Sequence, residues 1–103
     1  MNNNITQKSI KIVQKLFPNE DKEQAIILLK DECGNNLPFC EEYSPEALDR
    51  FRFAAIKISN GNLDQLKSAV IMANTDWRDL LVYANFATDI NMHNEWAKSI
   101  LYE

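Results

Sequence analysis

Apolar side chains recur along this chain at intervals of three and four residues, the spacing that places them on one face of an α-helix. Six such stretches are separated by short polar segments. The spacing predicts helices over residues 6–17, 21–33, 45–59, 63–73 and 76–86, and a sixth that begins at Asp89 or Asn91 and ends near Tyr102. Residues of the usual N-cap types precede four of the helices: Thr6, Ser44, Asn62 and Thr75.

Turn-forming residues are scarce, since 103 residues include only two glycines and three prolines. A many-stranded β protein would need more. Asn60 and Gly61 form a pair that also occurs in hairpins, but helical periods on both sides favour a helix end here. The sequence therefore predicts an all-α fold, a compact single-domain array of about five to six short helices, mostly antiparallel neighbours. Residues 1–5 are predicted to be a frayed N-terminus, and residues 6–103 to form the domain.

The charge is acidic and unevenly distributed. The net charge is −4, and residues 20–49 hold nine acids against Lys22 and Lys30. Such a chain is a poor ligand for nucleic acid, because neutralisation of phosphates supplies most of that affinity. No apolar run approaches the roughly 20 residues that span a bilayer, and the start lacks the features of a secretion signal. We therefore expect a cytoplasmic protein with no membrane partner, in which Cys33 and Cys40 are reduced.

The residues that could carry chemistry are few. Cys33, Cys40 and His93 do not reach the four closely spaced ligands of a structural zinc site. A cysteine and a histidine could form a nucleophile and base, but both cysteines occur in apolar surroundings typical of packing residues. Neither glycine lies in a phosphate-binding pattern. No catalytic residue, metal site or cofactor is predicted, and the chain is interpreted as a non-enzyme.

One region combines residue types that are enriched at protein interfaces. Trp77 and Arg78 are such types, and Val82, Tyr83 and Phe86 point away from the main apolar face of their predicted helix. Either the N-terminal helices cover these side chains, or they form an exposed patch. The candidate interaction surface consists of Trp77, Arg78, Asp79, Val82, Tyr83, Phe86 and His93.

Two functions follow from these observations. The favoured one is a non-enzymatic protein-interaction module: an adaptor, an inhibitor or immunity-type protein, or a homodimer. The alternative is a small-ligand-binding or enzymatic domain with a cleft around Asp76, Arg78, Asp79, His93 and Tyr83. The acids at positions 76 and 79 also suit the first turn of a helix, where carboxylates complement the helix dipole.

Residues 50–96 resemble small bacterial all-helical proteins that have no assigned function. The matching positions are Arg52, Ala54, Lys57, Ser59, residues 61–64, Leu66, residues 73–81, His93 and Trp96. The resemblance covers about half of the chain. It implies a bacterial, cytoplasmic origin and transfers neither an activity nor a site.

Overall fold

The computed structural model describes residues 5–38 and 40–102, which contain six α-helices. The helices are α1 (Gln7–Leu16), α2 (Lys22–Glu32), α3 (Pro45–Ser59), α4 (Leu63–Thr75), α5 (Trp77–Ala84) and α6 (Met92–Leu101), and a 3-10 turn over Asn19–Asp21 precedes α2. Neither described range contains a strand, so the all-α prediction is confirmed. The predicted frayed segment lies outside the described residues except for Ile5, which packs partly buried against the core.

Three of the predicted N-caps are confirmed by hydrogen bonds. In each, the side-chain oxygen accepts a bond from the backbone amide three residues later, which satisfies one of the amides left free by the first turn. The bonds are Ser9 N–Thr6 Oγ1 at 3.2 Å, Ala47 N–Ser44 Oγ at 3.1 Å and Gln65 N–Asn62 Oδ1 at 2.9 Å.

The predicted cap at Thr75 is wrong. Thr75 is the last residue of α4, and its hydroxyl donates to the Ile71 carbonyl. Asp76 caps α5 instead, because its carboxylate accepts a bond of 3.1 Å from the Arg78 amide. One extended residue therefore separates the two helices, and they pack closely against each other.

Helix α3 is the centre of the fold. It contacts α1, α4, α5 and α6, and every residue from position 51 to 56 is buried. The helix ends at Asn60, which adopts the left-handed conformation with φ 56°. Gly61 follows with φ 76°, and a Cβ there would lie 2.2 Å from the Leu16 carbonyl oxygen. The predicted helix end at this pair is therefore confirmed, and it depends on the glycine.

Two charged side chains of α3 are buried at the ends of α1 and α2. Asp49 accepts hydrogen bonds from Thr6 Oγ1 at 2.7 Å and from Ser9 Oγ at 3.1 Å, at the N-terminus of α1. Fully buried Arg52 donates from Nε to the carbonyl oxygens of Leu29 and Cys33, at the C-terminus of α2. The negative group thus lies at a positive helix end and the positive group at a negative one, which is the favourable arrangement.

Two further cations of α3 bind the end of α5. Arg50 Nη2 donates to the Phe86 carbonyl at 2.7 Å, and Lys57 Nζ donates to the Ala84 carbonyl at 2.7 Å. Lys57 Nζ also lies 5.0 Å from the centre of the Phe86 ring. The polar residues of the central helix therefore fix the positions of three other helices.

Candidate interaction surface

Four residues of the candidate interaction surface are exposed, and all four belong to α5. Val82 and Tyr83 are 61% and 71% exposed on α5, and Arg78 and Asp79 are exposed near its start. The Arg78 guanidinium lies 5.9 Å from the Trp77 ring and 3.4 Å from the Asp76 carboxylate. An ion pair this exposed contributes little to stability. We refer to Arg78, Val82 and Tyr83 as the α5 surface.

Trp77 is only partly available to a partner. Its ring meets Phe51 edge-on, with centres 5.6 Å apart and planes at 86°. Phe51 in turn contacts the Tyr43 ring at 6.3 Å. Trp77 therefore anchors the start of α5 against α3, and its contribution to the fold is packing of aromatic rings.

The prediction that Phe86 is part of an exposed patch is wrong, because its side chain is 1% exposed. Helix α5 ends at Ala84, and Asn85 adopts the left-handed conformation with φ 66°. The Phe86 amide then donates to the Leu81 carbonyl and the Asn85 amide to the Val82 carbonyl, which together form a Schellman motif. This turn directs Phe86 into the core, whereas a continued helix would have placed it beside Tyr83.

The prediction that His93 lies on the surface is also wrong. His93 is 8% exposed, and its ring centre lies 5.8 Å from that of Phe53 and 6.3 Å from that of Phe86. Burial lowers its pKa below the ordinary value, and the nearby charges of Arg50 and Lys8 lower it further. The imidazole is therefore held in the neutral form in an aromatic cluster that Trp96 completes.

The polar residues of the predicted cleft do not form one site, because Asp76 and Arg78 pair at the start of α5 and His93 lies elsewhere. His93 lines a cavity of about 370 Å³ between α1, α3 and α6, and Asp76, Arg78 and Asp79 are not part of its lining. The other members of this polar cavity are Thr6, Gln7, Lys8, Glu46, Asp49 and Asn94. Burial raises the pKa of Asp49, and the bonds from the Thr6 and Ser9 hydroxyls oppose that shift. This geometry does not favour the alternative of a ligand site at the start of α5.

Both cysteines are buried free thiols. Burial raises the pKa of Cys33 to about 12 and also raises that of Cys40. The thiols therefore stay protonated at neutral pH, and a protonated thiol is a poor nucleophile. Within residues 5–38 and 40–102, no group of three or more histidine, cysteine, aspartate or glutamate side chains could hold a metal ion.

A groove between α2 and α4 is an apolar feature that the sequence interpretation missed. It consists of two adjoining clefts of about 290 and 500 Å³ that share Leu28, Glu32 and Lys67. Helix α2 contributes Gln24, Ile27, Leu28, Asp31 and Glu32. Helix α4 contributes Leu63, Lys67, Val70, Ile71, Asn74 and Thr75. We refer to these residues as the α2–α4 groove.

Large apolar side chains remain exposed in this groove. Ile71 is 66% exposed and Ile27 is 49% exposed, and Leu28 and Leu63 of the same groove are half-buried. The C-terminal ends of the two helices meet, because the Asn74 amide donates to the Glu32 carbonyl at 2.9 Å. Leu63 lies near Gln24 at the other end, so α2 and α4 run in the same direction on either side of the groove.

Two sequence signals pointed to this groove. Residues 25–29 are apolar almost all round their helix, and Ile71 lies off the main apolar stripe of α4. The pattern did not reveal that these two positions line one groove, because α2 packs against α4 and not chiefly against its chain neighbour α3.

Comparison of the chain with protein-family models, with curated proteins and with solved structures found no match. The resemblance of residues 50–96 to small bacterial proteins therefore stays a prediction. No helix of residues 5–38 and 40–102 has the length and apolar character that crossing a bilayer requires.

Proposed function

We propose that this protein is a non-enzymatic protein-interaction module that binds its partner through the α2–α4 groove. The observation that carries the proposal is the exposure of Ile27 in one and Ile71 in the other of two adjoining apolar clefts. Scattered apolar side chains are normal on a protein surface, but side chains that line a common groove are typical of interaction sites.

The α5 surface is the weaker candidate for the same function. Val82 and Tyr83 are more exposed than Ile27, but neither lines either cleft of the α2–α4 groove. Arg78 already contacts Trp77 and Asp76 within the chain. A partner would find two exposed side chains on α5 and a formed concave site between α2 and α4. The roles of adaptor and inhibitor are both compatible with such a groove.

We also propose that the protein is cytoplasmic. Cys33 and Cys40 are free thiols, and buried free cysteines are typical of proteins that fold in a reducing compartment. The acidic net charge of −4 favours partners with basic surfaces.

Affinity capture from a native lysate tests the proposal with three forms of the chain: wild type, Ile27→Asp with Ile71→Asp, and Val82→Asp with Tyr83→Asp. We expect wild type and the α5 variant to retain the same protein in stoichiometric amount, and the groove variant to lose it. Circular dichroism checks that all three are folded. Loss of the partner with the α5 variant alone would move the site to α5, and identical retention by all three would contradict the proposal.

A further inference from the structure

We infer that the occupant of the α2–α4 groove is a basic amphipathic helix of another protein. This inference rests on the proposed function and adds the chemical class of the partner. It follows from the length of the groove and from the sign of the charge around it. It also follows from the poor fit of a second copy of this chain as the occupant.

The dimensions of the groove match a helix. Helix α4 has 13 residues and is about 20 Å long at a rise of 1.5 Å per residue. Ile27 on α2 and Ile71 on α4 offer apolar contacts in the two adjoining clefts, and half-buried Leu28 lines both. A partner helix of three to four turns that presents apolar residues at intervals of three and four would bury all three side chains.

The charge around the groove is negative. The 3-10 turn, α2 and α4 carry six acidic and three basic side chains, which gives a net charge of −3. Asp31 and Glu32 line the groove, and their carboxylates form no ion pair with any residue of the described ranges. Lys67 is the basic residue of the lining. Lysine or arginine beside the apolar stripe of a partner would complement the two free carboxylates.

A second copy of this chain is a poor occupant. Two α2–α4 grooves placed face to face would bring together surfaces of the same charge. Helix α1 supplies a basic face, but the exposed positions of that face are all polar: Gln7, Lys8, Lys11, Gln14 and Lys15. The apolar residues Ile12 and Val13 of α1 are fully buried in their own domain. Helix α1 is therefore basic, but its exposed positions provide no apolar stripe.

Two designed peptides test the inference by fluorescence anisotropy. Both are helices of about 15 residues, a length at which an isolated helix becomes stable, and share one leucine stripe. The flanking positions are lysine in the first peptide and glutamate in the second. At low salt we expect the lysine peptide to bind about tenfold more tightly, and added salt to reduce the difference because exposed charges are screened.

Variants of the charged groove residues test which side chains cause the preference for the lysine peptide. Asp31→Asn with Glu32→Gln is expected to reduce the tenfold ratio to about threefold or less, and Lys67→Gln is expected to increase it, because each change alters one sign of charge at the groove. Ile71→Asp is expected to abolish binding of both peptides. Tyr83→Asp is the matched control and should bind as wild type does.

Several results would overturn the inference. Equal binding of both peptides would exclude a charge-selective site and leave the proposed function intact, as long as Ile71→Asp abolishes both. A lysine preference that survives the Asp31 and Glu32 changes would contradict the assignment to these carboxylates. If neither peptide binds, a basic helix is excluded as the occupant. The lysate capture tests the proposed function separately. A dimer of the chain that Ile71→Asp dissociates would identify self-association instead.

Discussion

The cavity beside α3 and the α2–α4 groove are two concavities with different linings. Polar and charged side chains predominate among the lining residues of the first, whereas exposed isoleucines line the second. In the polar cavity, the Asp49 carboxylate is already held by two hydroxyl groups, and His93 is enclosed by aromatic rings. In the α2–α4 groove, two isoleucines remain in contact with water and the Asp31 and Glu32 carboxylates lack ion pairs among the described residues. In the first region the side chains contact one another, whereas the second region leaves large apolar side chains exposed.

The difference between these two regions shows that titratable residues alone do not identify a candidate binding surface. The polar side chains of α3 bind the ends of α1, α2 and α5. The cations among them donate to backbone carbonyls that would otherwise be unpaired, and Asp49 accepts bonds from two hydroxyl groups. Removal of such groups should destabilise the fold by several kcal/mol, whereas changes in the groove should leave its stability nearly unchanged.

The largest effect is expected at the end of α5. Phe86→Ala should lower the free energy of unfolding by about 4 kcal/mol, because it leaves a cavity among Phe53, His93 and Trp96. Tyr83→Ala, three residues earlier and exposed, should change it by less than about 0.5 kcal/mol. Urea denaturation followed by circular dichroism measures both. Equal effects would show that α5 is not oriented as described.

A somewhat smaller effect is expected for the buried arginine. Arg52→Met should cost about 3 kcal/mol, because the carbonyl groups of Leu29 and Cys33 lose a charged donor. Arg78→Met, at an exposed arginine, should cost about 0.5 kcal/mol or less. The same denaturation measurement compares the pair. A stable Arg52→Met variant would mean that the end of α2 does not depend on this cation.

The pH dependence should identify His93 as a buried neutral group. Burial lowers its pKa in the folded state below the ordinary 6.5, so the unfolded chain takes up a proton first as the pH falls. Its contribution to stability is thus complete above about pH 6.5 and is lost as the pH falls towards the lowered pKa. His93→Gln should remove this loss. Comparing wild type with His93→Gln at the same pH removes the contribution of Asp49, because Asp49 is present in both. That contribution has the opposite sign, because the pKa of Asp49 is raised and protonation of its carboxyl group favours the folded state.

The histidine prediction is checked by denaturation of wild type and His93→Gln between pH 7.5 and 5, a range chosen to bracket the ordinary histidine pKa of about 6.5. The difference between the two should change with pH in the stated direction. Parallel curves would contradict the burial of His93.

The smallest effect on stability is expected in the groove itself. Ile71→Asp and Ile27→Asp should each change the free energy of unfolding by about 0.5 kcal/mol or less, since half or more of each side chain is exposed. A loss of several kcal/mol would show that these residues belong to the core. It would remove the contrast between the two regions.

Local sequence signals sufficed for most helix boundaries. Ser44 before Pro45 predicted the start of α3, and Asn60 with Gly61 predicted its end, because capping depends on a few neighbouring residues. The same reasoning failed at Asn85, where an asparagine in the left-handed conformation ends α5 earlier than the apolar period indicates. That one turn accounts for the incorrect placement of Phe86.

The candidate site was harder to predict because it depends on contacts between distant segments. Val82 and Tyr83 were predicted to point away from the main apolar face of their helix, with coverage or exposure left open, and the structure exposes both. The α2–α4 groove arises only when Ile27 and Ile71, far apart in the chain, are brought to one groove. Periodicity within one helix carries no information on which other helix will lie beside it.

An amide proton–nitrogen NMR titration of the folded protein with the lysine peptide tests most directly whether the α2–α4 groove is the interaction surface. We expect chemical-shift changes to concentrate on α2 and α4, around Ile27, Asp31 and Ile71, and to leave Val82 and Tyr83 unchanged. Shift changes concentrated on α5, or spread evenly over the chain, would contradict the assignment of the α2–α4 groove as the interaction surface.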